Sequence, residues 1–334
     1  MFGMSASMKL SILDVVPVIS GVEAGESLRH APELAQLGDA LGYERLWYAE
    51  HHNIRSIASA APELLIANAA SATSRIRLGS GGVMLPNHAP LRVVEQYKTL
   101  EALHPGRIDL GIGRAAGTDP LTAEALGTWS GSHFSNKMSE LLAFAHGGFA
   151  ASHPYAQITV TPEGGDLPPL WMLGSSGGSA ELAGQIGAGY GFAGHFSPTP
   201  AAPAVDAYRR TFKPSDSFPE PRVILALTVV CAETEAEAVE LSSSLQMNFL
   251  DLHQGKTRPL RTPAEARDEG WRPELRDQLG PMGQLLIAGT LDQVANTLRQ
   301  RALDAGGVDE IMVMTITHDS NAQKRSYELL AELL

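Results

Sequence analysis

Chemistry-bearing side chains gather in five short stretches of this 334-residue chain. They are AEHHN at 49–53, GSGGVMLPNH at 79–88, GIGRAAGTD at 111–119, LGSSGGSAE at 173–181 and AGHFSP at 193–198. In the first, Glu50, His51 and His52 follow a short aromatic and aliphatic run. Adjacent residues of an extended chain point to opposite faces, so His51 and His52 cannot both reach one metal ion. No HExxH, HxH or paired-carboxylate set joins them, and no metal site is expected. A neutral histidine near pH 7 is a proton donor or acceptor, unless backbone carbonyls at a strand end simply satisfy it.

LGSSGGSAE suits a different chemistry. Glycines and serines where a strand passes into a helix leave backbone N–H groups open at the helix N-terminus, a setting that holds phosphate. Gly174, Ser175, Ser176 and Ser179 form this corner, and Arg114 adds a charged fork. A plain N-capped helix is the competing reading, because serine starts helices well. The glycines at 79, 81 and 82 let the backbone approach a flat ligand closely, against the alternative of an ordinary tight turn. None of these stretches contains a nucleophile elbow or a convincing carboxylate pair, so hydrolysis is poorly supported.

Such groups work only if something brings them together. Short apolar runs at 10–15, 45–49, 76–79, 107–111, 170–173, 190–193, 223–231 and 310–315 alternate with amphipathic helical stretches, the pattern of βα units. Eight strands in this length fit an α/β TIM (β/α)8 barrel; a doubly wound open sheet is the alternative. In a barrel the site lies at the C-terminal strand ends. That rule selects the five stretches above, with LDVVP at 13–17 and His195 in AGHFSP.

Two segments break the rhythm: 115–169, after the fourth strand, and 253–283, between the seventh and eighth. Both read as insertions. Loops this long are usually lids or mobile segments, with a packed peripheral insertion as the alternative. Residues 1–9 read as a flexible N-terminus and 10–334 as one domain.

Composition narrows the partners. With 25 Lys and Arg against 37 Asp and Glu, the formal net charge is −12. That acidity argues against nucleic acid or an anionic membrane as the main partner. Cys231 is the sole cysteine, so no intrachain disulfide can form, and its apolar run VILALTVVCA marks a buried hydrophobe. The N-terminus lacks an apolar signal core and no apolar run is long enough to span a bilayer, so a cytoplasmic protein is expected.

Several segments, in order, resemble one family, the bacterial luciferase-like flavin-dependent monooxygenases. They are LGYERLWYAEHH, IRLGSGGVMLPNHAPLRVVEQYKTLEALHPGRIDLGIGR, PPLWMLGSSGGSAELAGQIGAG and LLIAGTLDQVANTLRQ. The impression is strongest for a subgroup carrying HFSP after the sixth strand. The resemblance implies a TIM barrel that takes FMN, with reduced FMN supplied by a separate reductase and used with O2 to oxygenate a small organic substrate such as an aldehyde or ketone. It also implies a homodimer. It places His51 near the flavin ring with Glu50 before it, and a bulged, often cis, backbone at Gly81 and Gly82 against the isoalloxazine. Arg114, Gly174, Ser175, Ser176 and Ser179 fall at phosphate-holding positions, His195 on the substrate side, and 253–283 where the family has a shielding loop.

Departures from the family pattern are equally specific. Gly113 stands in place of a reactive cysteine and Ser175 in place of a glutamate. No arginine occurs between Arg114 and Arg209, which leaves Lys137 as the substitute for a second phosphate-binding cation. Two rival readings accompany the resemblance. A deazaflavin-dependent hydride-transfer oxidoreductase of the same superfamily would want more basic residues than Arg114 alone. A non-catalytic flavin-binding barrel would have less need of His51.

Overall fold

The computed structural model describes residues 7–127 and 134–334, apart from the side chain of Arg276. Its strands are β1 (Leu10–Asp14), β2 (Arg45–Tyr48), β3 (Arg77–Ser80), β4 (Val83–Met84), β5 (Ile108–Gly113), β6 (Leu170–Gly174), β7 (Gly189–Phe192), β8 (Val223–Cys231), β9 (Leu286–Gly289) and β10 (Glu310–Met314). Eight of them follow one another around a ring in the order β10-β1-β2-β3-β5-β6-β7-β8. Pairing of β8 with β10, from Ile224↔Glu310 to Thr228↔Met314, closes it. Every named pairing is parallel, with helices between successive strands. This is a TIM (β/α)8 barrel, and the open sheet is set aside.

Two strands were not anticipated. The two-residue β4 pairs with the upper end of β5, at Val83↔Ile112 and Met84↔Gly113. The short β9 pairs with the C-terminal half of β8, from Thr228↔Leu286 to Cys231↔Gly289. A four-residue apolar run directly before a helix carries no period of its own, so LLIAG reads as easily as the start of that helix.

Alternation along each strand divides the core in two. Leu10, Ile12, Leu46, Leu78, Leu110, Ile112, Val313 and their neighbours face outward and pack on the helices. Leu13, Trp47, Ala49, Trp171, Ile224, Ala226, Met312 and Met314 fill the barrel interior. Below them, at the N-terminal end, the same inward register carries charge: Arg45 donates to Glu310 through Nε (2.8 Å) and to Asp109 through Nη1 (2.7 Å). Arg77 Nη2 and Trp47 Nε1 also donate to Asp109, at 2.6 and 3.1 Å. A buried, closed set of ion pairs therefore plugs the bottom of the barrel.

The top is roofed differently. Leu241, Leu245 and Phe249 of the helix Glu235–His253 recur every four residues and pack on the interior cluster, together with Leu260 and Ile57. Segment 253–283 is tied down where it leaves this helix. The Ser20 N–H donates to the Leu260 carbonyl (2.7 Å) and the Leu260 N–H to the Val18 carbonyl (2.8 Å). Thr262 and Glu265 then form a capping box that starts the helix Pro263–Asp268. Segment 115–169 holds the helices Pro120–Ala125 and Phe134–His146; its residues 128–133 lie outside the described residues. Of the stretch 1–9, residues 1–6 also lie outside them. The Met8 N–H donates to the Leu333 carbonyl and the Lys9 carbonyl accepts from Ile311.

Candidate active site at the barrel mouth

Glu50, two residues past β2, is fully buried. Its carboxylate accepts from the Met84 N–H (2.8 Å), from Asn87 Nδ2 (3.1 Å) and from the ring nitrogens of His52 (2.9 Å) and His88 (3.0 Å). Burial alone would raise its pKa, but the His88 hydrogen bond and charge outweigh that and hold it low. Burial likewise pulls His88 down, and the Glu50 contact more than reverses it, leaving His88 above its ordinary value. Glu50, expected beside a cofactor, has protein donors around its carboxylate. Every acceptor site on it is spent on protein, so it acts by holding the loop after β3. Asn87 and His88, which sequence reasoning passed over, lie in the PNH that closes the glycine stretch.

The held loop contains a cis peptide between Gly81 and Gly82. Beneath it, Ser80 Oγ donates to the Gly111 carbonyl (2.8 Å) and accepts from the Gly111 N–H (3.0 Å). A Cβ on Gly111 would lie 2.0 Å from the Ser80 carbonyl oxygen, and one on Gly82 would lie 2.8 Å from the Gly111 carbonyl oxygen. Only glycine lets these two strand ends approach so closely.

His51 follows the inward register of Trp47 and Ala49, with its N–H bonded to the Ser59 carbonyl (2.9 Å). His195 follows β7, with its ring edge-on to Phe196 and its carbonyl accepting from Thr228 Oγ1 (3.2 Å). In both rings Nδ1 is buried and has no protein partner. Burial pulls His51 below its ordinary pKa, with the Glu50 charge offsetting only part of that. Burial, and then the neighbouring His51, push His195 down to about 3. Two neutral imidazoles thus share the mouth, each with an unused nitrogen. His318, two residues beyond Ile316, also has a buried Nδ1 without a partner, but it lies beside Glu240, Leu241 and Thr262. No three His, Cys, Asp or Glu residues are grouped for a metal ion among the described residues.

The corner between β5 and β6 holds the open donors. Ser176 is the N-cap of the helix Gly177–Ile186, yet its hydroxyl makes no capping bond. Gly177 and Gly178 are exposed; a Cβ on Gly177 would meet nothing, and one on Gly178 would meet only Arg114 Nη1, at 3.7 Å. The Arg114 guanidinium has no hydrogen-bond or ion-pair partner among the described residues, and neither has the half-buried Ser175 hydroxyl. Ser179, expected at a phosphate-holding position, lies beneath the turn. It is buried and donates to the Ser176 carbonyl (3.0 Å), with Gly174 packed on its Cβ, so these two shape the turn from beneath. The Lys137 ammonium donates to the Pro86 (2.6 Å) and His88 (2.8 Å) carbonyls, bracing the Glu50 loop.

These residues fit a flat cofactor with a phosphate tail. The corner offers one free guanidinium, two free hydroxyls and open helix N–H groups, and the mouth offers glycine backbone and two unpartnered imidazoles. A model of the luciferase-like monooxygenase family matches residues 8–310. The chain belongs to that family. The luciferase-like monooxygenase of Escherichia coli K12 is 38% identical over 330 residues, covering 98% of this chain and 97% of that protein. The N-acetyl-S-alkylcysteine monooxygenase of Bacillus subtilis is 33% identical and covers 97% of this chain and 98% of its own length. Among solved structures, apo-MsnO8 superposes with a TM-score of 0.88 at 38% identity, over 98% of this chain and 97% of that one. Among luciferase-like monooxygenases, then, this chain is similar over nearly its whole length.

Proposed function

We propose that this protein is an FMN-dependent monooxygenase that takes reduced FMN from a separate reductase and uses O2 to oxygenate a small organic substrate. The observation that carries the reading is the corner of open donors beside the mouth. Arg114, the Ser175 and Ser176 hydroxyls and the N–H groups of Gly177 and Gly178 would hold one phosphate by charge-assisted bonds and the helix dipole. A single free cation suits that one phosphate and speaks against the longer acidic tail of a deazaflavin.

Reduced flavin, when bound, supplies the electrons that activate O2. The chain's own residues do the rest. The Glu50-held loop offers its glycine backbone to the ring system. His51 Nδ1 and His195 Nδ1, neutral at pH 7, can each give or take one hydrogen bond or proton at the reacting centre. Leu241, Leu245, Phe249 and Ile57 roof the mouth with apolar surface and keep water from it. No carboxylate is free inside this roof among the groups described above, which favours an uncharged reacting group such as an aldehyde, ketone or thioether.

The test is to incubate the protein with enzymatically reduced FMN, 18O2 and a panel of aldehydes, ketones and thioethers. The expected result is 18O in a product only when reduced FMN is present. Binding of a deazaflavin with hydride transfer and no label would overturn the reading in favour of a dehydrogenase. Flavin binding with neither reaction across the panel would point to a flavin carrier.

A further inference from the structure

LDVVP, at the end of β1, is the strand end whose polar residue the site above does not use. Asp14 faces away from the barrel interior and is 4% exposed. Its Oδ1 accepts from the Val16 N–H at 2.8 Å. Val16 has φ of 51°, a left-handed conformation that a β-branched residue rarely adopts. A rare turn held by a buried side-chain acceptor asks what the turn is for.

The turn aims two carbonyls at one neighbouring segment. The Val15 carbonyl accepts from the Ser59 N–H (3.4 Å) and the Val16 carbonyl from the Ala58 N–H (2.9 Å), while Val18 donates back to the Ser56 carbonyl (2.9 Å). Ser59 faces the site from its other edge. Its carbonyl accepts the His51 N–H at 2.9 Å, and its Oγ donates to the Ala49 carbonyl at 2.5 Å. The Ala49 N–H in turn reaches the Asp14 carbonyl at 3.0 Å. Asp14, Val15–Val16, Ser59 and Ala49–His51 therefore form a closed ring of hydrogen bonds around the end of β2. Nothing else in that ring is a side chain that could fix Val16.

We propose that Asp14 is a positioning residue for His51, fixing the left-handed turn at Val16 so that Ser59 sets the backbone, and with it the imidazole, at the barrel mouth. This rests on the reading of His51 as a group at the reacting centre. Asp14 itself touches neither substrate nor cofactor. The role needs an acceptor at Oδ1, not a charge, so Asp14→Asn preserves it and Asp14→Ala removes it. Glycine takes positive φ without help. Val16→Gly placed in the Asp14→Ala chain should therefore restore the turn.

Two measurements decide it. In the flavin-free protein, the His51 ring resonances are followed by NMR across pH. Asp14→Ala should move the His51 titration up towards that of an ordinary histidine; Asp14→Asn and the Asp14→Ala/Val16→Gly pair should match wild type, and His88 should stay unchanged throughout. In turnover, Asp14→Ala should lower kcat by roughly tenfold to a hundredfold, as expected for a misplaced group, with KM little altered. The same change made in a His51→Gln background should cost nothing further. An unaltered His51 titration in Asp14→Ala would overturn the proposal, as would a kcat loss undiminished in His51→Gln, or no recovery in the Val16→Gly pair. The NMR arm needs no flavin and no reaction, so its failure is separable from failure of the monooxygenase reading.

Discussion

The carboxylate of Glu50 accepts the backbone N–H of Met84 at 2.8 Å and so joins the end of β2 to the loop that carries the cis Gly81–Gly82 peptide. The same carboxylate takes Asn87, His52 and His88, which makes it the hub of that side of the mouth.

Removing the hub leaves four donors to find other partners in a largely buried place. Glu50→Ala should cost about 2–4 kcal/mol, the scale of unpairing buried, charge-assisted hydrogen bonds. Glu50→Gln keeps one acceptor and should lose less. Urea unfolding gives the stability. A parallel FMN titration should show weaker binding in Glu50→Ala, because the loop offered to the ring is no longer held. Equal FMN affinity in the two variants and wild type would show that the loop holds its shape without Glu50.

The Glu50–His88 contact also sets a pH window. His88 has a raised folded pKa, so its contribution is complete below its ordinary value of 6.5 and is lost as pH rises through the folded value. Glu50 has a lowered one, so its contribution is complete above 4.5 and is lost as pH falls through the folded value. His51 and His195, both lowered, act in the opposite sense to His88, so only a difference isolates the contact. The denaturation midpoint of wild type should fall more between pH 6 and 8.5 than that of His88→Gln. Parallel curves for the two proteins would contradict this assignment.

At the other end of the barrel, Arg45 alone among the described residues pairs with both Asp109 and Glu310. Its neighbours hold Asp109 low against the upward push of burial, through the charges of Arg45 and Arg77. Arg45→Met would leave two buried carboxylates short of a partner and should destabilise by about 3–5 kcal/mol. Arg45→Lys should recover little, because a single ammonium cannot span both acceptors as the guanidinium fork does. Since this plug lies far from the mouth, any folded fraction should keep its FMN affinity, and a loss of affinity in that fraction would link the two ends of the barrel.

Much of this was legible in the sequence, for physical reasons that also mark where reading stopped. Eight apolar runs with helical stretches between them require a layered α/β fold, and glycine-rich strand ends mark the mouth. Strand alternation set His51 and His52 on opposite faces, and the His52 ring is bonded to Glu50, two residues before it. Burial and partnership were not legible. Glu50 and Ser179 look like ligands in the sequence and are spent on protein contacts in the fold. Lys137 looks like a spare cation and is committed to two carbonyls. Each depends on residues tens of positions away, which local pattern cannot pair. β9 went unread because four apolar residues before a helix have no period to betray them.

Arg114 yields the cleanest test of the proposed phosphate corner. It is exposed, stands beside the open N-terminus of the helix Gly177–Ile186, and has no partner among the described residues. A side chain that bonds nothing in the folded chain costs nothing to fold without, so Arg114→Gln should unfold at the same urea concentration as wild type. Its loss should fall entirely on the ligand. One charge-assisted contact to a phosphate contributes about 1.5–3 kcal/mol, which is roughly a tenfold to hundredfold weaker Kd for FMN. Riboflavin, which lacks the phosphate, should bind wild type and Arg114→Gln alike. Added salt should erode the FMN advantage of wild type, because the exposed guanidinium is open to screening. If Arg114→Gln binds FMN as tightly as wild type, the phosphate is held elsewhere and the corner between β5 and β6 is only a helix start. If riboflavin and FMN lose affinity equally, Arg114 shapes the mouth and does not grip the phosphate.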